Sequence, residues 1–287
     1  MTGLFMLFAQ TKDGMLSFNG DSYNKVKNDD WIEIEQRLNT FSTKIKSEIT
    51  TKIQTDQEKK WAGVDRSKNG ITAERIEEIK HKYRELISGA KKKDYLFAAR
   101  ALQRYLDNTG NIMIEDAKEL QKFKIIGFGA EKNRIRFESD GPPEKGHQLL
   151  KYTAMEIGQE GSKIVTDHWD FKVESASYKD CKDLFYASNY SVLCSMGAFK
   201  VITDDGYLTI KGMVEHYWYD YYDFEKNMGF DIVVPIIGRL SDDDGWLLEK
   251  VQEAKSYRLE STWRQDAEAT FEIESIYDTK RFKLKWS

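Results

Sequence analysis

The sequence predicts an α+β protein: an N-terminal helical segment followed by a mainly antiparallel β domain, barrel- or sandwich-like. Apolar residues between 29 and 123 recur every third or fourth position, the period of amphipathic helices. Beyond residue 124 they fall into short β-like runs roughly ten residues apart, separated by glycine-containing turns. Within that second half, Gly206–Phe224 alternates with period two over an unusually aromatic strand. The chain therefore divides into 1–124, mainly helical with a short β-hairpin at its start, and 125–287, rich in antiparallel β structure.

The elements follow in order. Leu4–Phe8 and Met15–Phe18 flank Lys12-Asp13-Gly14 and read as a strand pair, its edge covered by the later sheet. Trp31, Ile34, Leu38, Phe41, Ile45, Ile49 and Ile53 form one apolar stripe, so 29–57 reads as a long helix capped by Asp29 or Asp30. Thr72 opens a second helix that runs to Gly89. Asp94 is expected to cap a third, which Asn108-Thr109-Gly110 stops, and Glu115–Phe123 is a short fourth. Ile125-Ile126-Gly127-Phe128-Gly129 reads as a strand followed by glycine, and alternation at Arg134, Ile135, Arg136 continues the β pattern. That Gly-x-Gly alone is a weak phosphate-loop signal.

Asp140–Gly146, with Pro142-Pro143, is the best internal break. Strands are expected at 148–152, 163–166, 168–173, 190–194, 199–202, 207–219, 232–236, 256–263, 269–276 and 281–286. Short helices are expected at 179–187 and 246–254. Asp204-Asp205-Gly206 is turn chemistry joining a strand near 198–203 to the aromatic one, in which Gly212 marks a bulge or a close backbone approach.

Composition narrows the function. Formal net charge is −4 with many charges of both signs, so nothing global favours nucleic acid. No run is long and apolar enough for a transmembrane segment, and the start lacks the basic leader of a signal peptide. Two cysteines, Cys181 and Cys194, lack the paired spacing of a zinc site and read as free thiols, with a disulfide as the alternative. Of four histidines, His81 lies among charges on a helix, His147 in the break and His168 on a strand.

His216 lies just before Asp220, Tyr222 and Asp223 at the end of the aromatic strand. Two carboxylates held together cannot both ionise cheaply, so their pKa values separate. That suits an acid/base pair, or a divalent cation such as Mg2+ or Ca2+ on Asp220 and Asp223. Tyr222 and His216 complete the candidate catalytic set, and Arg239, Arg258 and Arg264 are candidate phosphate partners. A fully extended strand puts Asp220 and Tyr222 on one face and Asp223 on the other, whereas a bend at its end brings all three together.

Asp220-Tyr221-Tyr222-Asp223-Phe224 resembles the Asp-x-Tyr-Asp core of colicin M-like bacteriocins. It is also similar to the C-terminal β-rich domains of contact-dependent and type VI secreted bacterial toxins. The helical run 101–110 ahead of the β part is similar in those chains. The likeness loosely spans 95–265, and its specific part is four residues. Where that family carries a His-Arg pair, this chain reads Glu225–Phe230.

The resemblance implies an antibacterial effector that hydrolyses a phosphate-linked peptidoglycan precursor in the target-cell envelope. It implies an immunity protein and a secretion-apparatus component as partners, a lipid-linked precursor as substrate, and secretion without a classical signal peptide. The alternative is a non-enzymatic module that binds protein through its Tyr/Trp-rich strand.

Overall fold

The structure, a computed structural model, describes residues 8–11, 14–17, 20–110, 112–138, 149–175, 181–227, 231–234, 238–272 and 284–287, with side chains described outside 1–28 and 228–240. A small hairpin, β1 (Phe8–Thr11) and β2 (Gly14–Ser17), forms its own two-stranded sheet. Helices α1 (Gly20–Trp61), α2 (Ala73–Lys92) and α3 (Leu96–Leu106) follow. A two-residue strand, β3 (Met113–Ile114), leads to α4 (Ala117–Leu120), α5 (Lys124–Glu138) and α6 (Leu149–Ile157).

The sheet is built from β4 (Gly161–Glu174), β5 (Tyr190–Asp204), β6 (Tyr207–Tyr222), β9 (Tyr257–Glu272) and β10 (Lys285–Trp286). Helix α7 (Lys182–Ala187) precedes β5. A separate hairpin of β7 (Asp231–Val234) and β8 (Gly238–Ser241) and helix α8 (Asp242–Lys250) precede β9. The strand order is β10-β9-β6-β5-β4, antiparallel throughout, with β3 added parallel to β9. The sheet is open rather than closed into a barrel.

The aromatic strand is central, hydrogen-bonded to β5 on one side and β9 on the other. Its turn is the predicted one. Asp205 and Gly206 both take positive φ (42° and 78°), as the two-residue loop of a twisted hairpin requires. Gly212 sits in unbroken register, so there is no bulge. The Phe199 ring instead occupies the space a Cβ would take.

Even-numbered side chains of β6 face helices. Leu208, Ile210 and Val214 pack with Phe137, Leu150 and Ala154 of α5 and α6. Trp218 and Tyr222 join a cluster with Ile79, Tyr83, Phe97 and Tyr105 of α2 and α3. That cluster unites residues from both sides of position 124.

The odd face is covered as well. Ile34, Leu38 and Ile45 of α1 pack on Cys194, Met196, Ala198 and Tyr217. Charges on this face are paired rather than solvated. Lys211 bonds Asp30, Lys46 Nζ reaches Glu215 at 2.7 Å, and Arg264 Nη2 reaches Glu215 at 2.8 Å. The result is a sheet between α1 and a layer of shorter helices.

Several elements differ from expectation. The 125–137 segment is helix, because Ile125, Ile126, Ala130 and Phe137 make a buried stripe that outweighs the alternation at Arg134–Arg136. Residues 149–157 are likewise helical. Pairs of predicted strands merge into single long ones at β4, β5 and β9. Asp94 does not cap α3. It takes positive φ (60°), and Asp183 caps the helix from outside, accepting from the backbone N–H groups of Phe97 and Ala98 at 3.0 and 2.8 Å. The Asp140–Gly146 break and His147 lie outside the described residues.

Candidate functional site

Beyond the last paired residue of β6, the chain leaves the sheet and passes between α8 and the segment joining α7 to β5. There Asp220, Tyr221, Tyr222, Asp223 and Asp242 line an open hollow of about 380 Å³, together with Ser188 and Asn189. Asp220, Tyr222 and Asp223, singled out in the sequence, thus border one cavity. The bend that brings Asp223 round comes from the strand ending at Tyr222.

Each wall has a physical cause. Tyr222 is held in a ring cluster, with centroids 5.3 Å from Tyr257, 5.9 Å from Tyr105 and 5.7 Å from Phe224. Asp242 opens α8, a position that favours carboxylates. The start of α8 is fixed from below, where Tyr105 donates to the Gly245 carbonyl at 2.7 Å and Tyr83 to the Ser241 carbonyl at 3.3 Å. Gly245 has no side chain because the Phe224 ring lies where a Cβ would sit.

Asp223 is held from α1. Lys60 donates to its Oδ2 at 3.1 Å and Gln57 at 3.2 Å, and Lys60 also reaches Glu249 Oε2 at 3.0 Å. Glu249 is 3% exposed, and its other oxygen takes the Ser256 hydroxyl. Trp61 stacks on Trp246 at 5.9 Å, so the end of α1 is stapled to α8 beside the hollow.

This lining shifts the carboxyls. Enclosure pushes the Asp220 pKa up to about 7, with the charge of Asp223 adding to the rise. Ser188 and the Tyr221 N–H pull the other way. Asp242 rises to about 6, chiefly by burial and then through Asp243, Asp223 and Glu225. Burial likewise pushes the Tyr221 hydroxyl up to about 12 and Tyr222 further. Near neutral pH the hollow therefore holds carboxyls poised to give or take a proton.

His216 does not reach this hollow. It is fully buried, with Nδ1 2.7 Å from Ser195 Oγ, Nε2 3.0 Å from Gln265 Oε1 and its ring stacked on Trp263 at 5.1 Å. Asn133 Nδ2 donates to Ser195 Oγ at 2.9 Å and to the Leu193 carbonyl at 3.0 Å. Desolvation lowers the His216 pKa to about 4, so the ring stays neutral in a satisfied core network. Its exclusion follows from strand pitch, since a residue four positions before Asp220 lies about 13 Å back along the sheet.

Arg258 pairs with Glu260 at 2.9 Å and Thr50 at 2.7 Å, and Arg264 with Glu215 and Glu35. Both hold α1 to the sheet, and neither lines the hollow. The Arg239 side chain lies outside the described residues. His81 and His168 are exposed, and both cysteines are free and buried. Burial and the nearby Asp170 push the Cys194 thiol far up, the reverse of a nucleophile's environment.

At the expected Asp220–Asp223 cation site, the Lys60 ammonium engages Asp223 Oδ2 at 3.1 Å. On the aromatic strand Trp218 is 0% and Tyr217 2% exposed, whereas Tyr219 and Tyr221 are half-buried and Tyr207 is 41% exposed.

Asp242, Ser188, Asn189 and Lys60 are the parts that sequence reasoning missed. Ser241-Asp242-Asp243-Asp244 ahead of Trp246-Leu247-Leu248 carries a helix-start signature that marks Asp242. Lys60 stands 163 residues from Asp223 with no local signal.

Fold and site together define an α+β protein with an acidic, tyrosine-lined hollow at the end of its central strand. No family model, curated protein or solved structure matches the chain. No helix among the described residues is long and apolar enough to cross a membrane.

Proposed function

We propose that the hollow is a general acid–base centre and that the chain is an antibacterial effector of hydrolase type, acting in the envelope of a target cell. The observation that carries this reading is Asp220, a carboxyl held near pH 7 inside an open cavity. Carboxylates paired with cations are driven the other way, as Asp30 is by Lys200 and Lys211.

In this reading protonated Asp220 donates its proton to the leaving-group oxygen as the bond breaks. Asp242, ionised above about pH 6, takes a proton from the attacking water, whose oxygen forms the new bond. Burial, with the charge of Asp223 adding to it, keeps Asp220 protonated, and Asp223 is itself positioned by Lys60 and Gln57. Tyr222 forms the wall against which the substrate rests.

The likeness to colicin M-like proteins supports a phosphate-linked peptidoglycan precursor as substrate and an immunity protein as partner. It also supports delivery by a secretion apparatus without a classical signal peptide. A phosphate ester would need a counter-charge in the hollow, and neither Lys nor Arg is among its described lining residues.

The test is killing after targeting to the periplasm of a sensitive cell. Asp220→Asn is expected to lower killing by at least about 100-fold, the scale of losing a general acid, with the folded state intact by circular dichroism. Unchanged killing overturns the reading.

A further inference from the structure

The hollow has a one-sided chemistry. Among the described residues its charged lining is Asp220, Asp223, Glu225 and Asp242, all acidic. Ser188 and Asn189 also line it. Ser188, 3% exposed, lies beside Asp220, whose ionised carboxyl its hydroxyl favours. The Asn189 Oδ1, also buried, accepts from no donor. A buried acceptor left open costs about 1–3 kcal/mol, which a bound donor recovers.

The remaining walls are rings, among them Phe185, Tyr186, Tyr221 and Phe224. Carboxylates, open acceptors and aromatic faces share one complement: a group that carries positive charge and N–H donors, and that can lie against a ring. The volume of about 380 Å³ is at the small end of ligand sites, enough for one side chain or one ring.

We infer that the hollow recognises an organic cation, a primary ammonium or guanidinium on a side-chain-sized group of the substrate, which pairs with Asp242 and donates to Asn189 and Ser188 on the same lining. The positive charge that the described lining residues lack thus arrives with the ligand. An anion such as free phosphate meets repulsion there. A divalent metal wants several free carboxylate oxygens, whereas Asp223 is already engaged by Lys60. This inference rests on the hollow being the functional centre, and it deepens that reading by naming the substrate class.

Isothermal titration of the full chain at pH 7.5 tests it. Benzylammonium is the probe, with benzyl alcohol as its uncharged match and Mg2+ and inorganic phosphate as separate arms. Saturable benzylammonium binding is expected, with a Kd on the order of 1 mM or below for so small a ligand. Binding should weaken at least about tenfold in Asp242→Asn, which removes a charge, and about threefold in Ser188→Ala, which removes a single acceptor. Benzyl alcohol should bind at least about tenfold more weakly.

Equal binding of amine and alcohol, unchanged binding in Asp242→Asn, or saturation by Mg2+ or phosphate without the amine overturns the inference. Killing is read separately. Loss of killing in Asp220→Asn with no amine binding removes the substrate class and leaves the acid–base reading. Amine binding with killing intact does the reverse.

Discussion

Replacing Asp220 by Asn should make the protein more stable at neutral pH while removing its activity. The carboxyl is raised from its ordinary 3.8 to about 7 in the folded chain, first by burial and then by Asp223. The groups that face it come from several elements: Asp223 and Tyr222 on its own strand end, Ser188 before β5, and Lys60 behind Asp223 from α1. Below about pH 4 the carboxyl is protonated in both states and carries no pH dependence.

Between about pH 4 and 7 the unfolded chain ionises while the folded one keeps its proton. Folding stability therefore falls as pH rises across that window, and the loss is complete above it. At about 1.4 kcal/mol per pH unit the full loss is about 4 kcal/mol, and water entering through the hollow brings it to about 2–4. Asparagine fills nearly the same space without titrating. Urea unfolding of both proteins from pH 4 to 8 should show the variant's advantage growing through the window and levelling near pH 7. A difference that is flat with pH refutes the argument that burial holds this proton.

His216→Gln should act in the opposite sense. Burial lowers the His216 pKa from 6.5 to about 4, so wild-type stability is lost as pH falls from about 6.5 to 4, by up to about 3 kcal/mol, and the variant should lack that slope in the same urea series. Killing should survive this change, because His216 lies outside the hollow. Lys60→Met leaves Asp223 and Glu249 without their shared cation and should lower stability by about 3–5 kcal/mol, with part of the loss restored in the double variant Lys60→Met, Asp223→Asn. Gly245→Ala drives a methyl into the Phe224 ring; a loss of about 1–3 kcal/mol is expected, read as a lower urea midpoint.

Much of this architecture was legible in the sequence because it rests on local periodicity. The stripe from Trp31 to Ile49 became α1, the Asp205-Gly206 turn became the β5–β6 hairpin, and the even-residue face of β6 became its core face. Periodicity failed where a second element decided the outcome. Lys211 and Glu215 fall on the odd-numbered face of β6, and only the structure shows that α1 covers them and supplies Asp30 and Lys46 as partners. The Arg134–Arg136 alternation read as strand, but a helix places Arg134 toward Gln265 and Arg136 toward the Asp170 carbonyl while burying Phe137.

The candidate site divides in the same way. Asp220, Tyr222 and Asp223 were visible as one cluster, and their convergence depended only on where the strand ends. His216 was grouped with them by proximity in sequence, but along an extended strand four residues is a long way. Ser188, Asn189 and Asp242 come from elements that no local pattern ties to β6.

The most direct measurement is a carbon-13 NMR titration of the side-chain carboxyls in the full-length protein, with Asp220→Asn used to assign the resonance. An Asp220 carboxyl titrating near pH 7, and shifting when benzylammonium is added, is the predicted result. A midpoint near the ordinary 3.8, unmoved by the amine, would contradict the claim that this hollow holds a working proton.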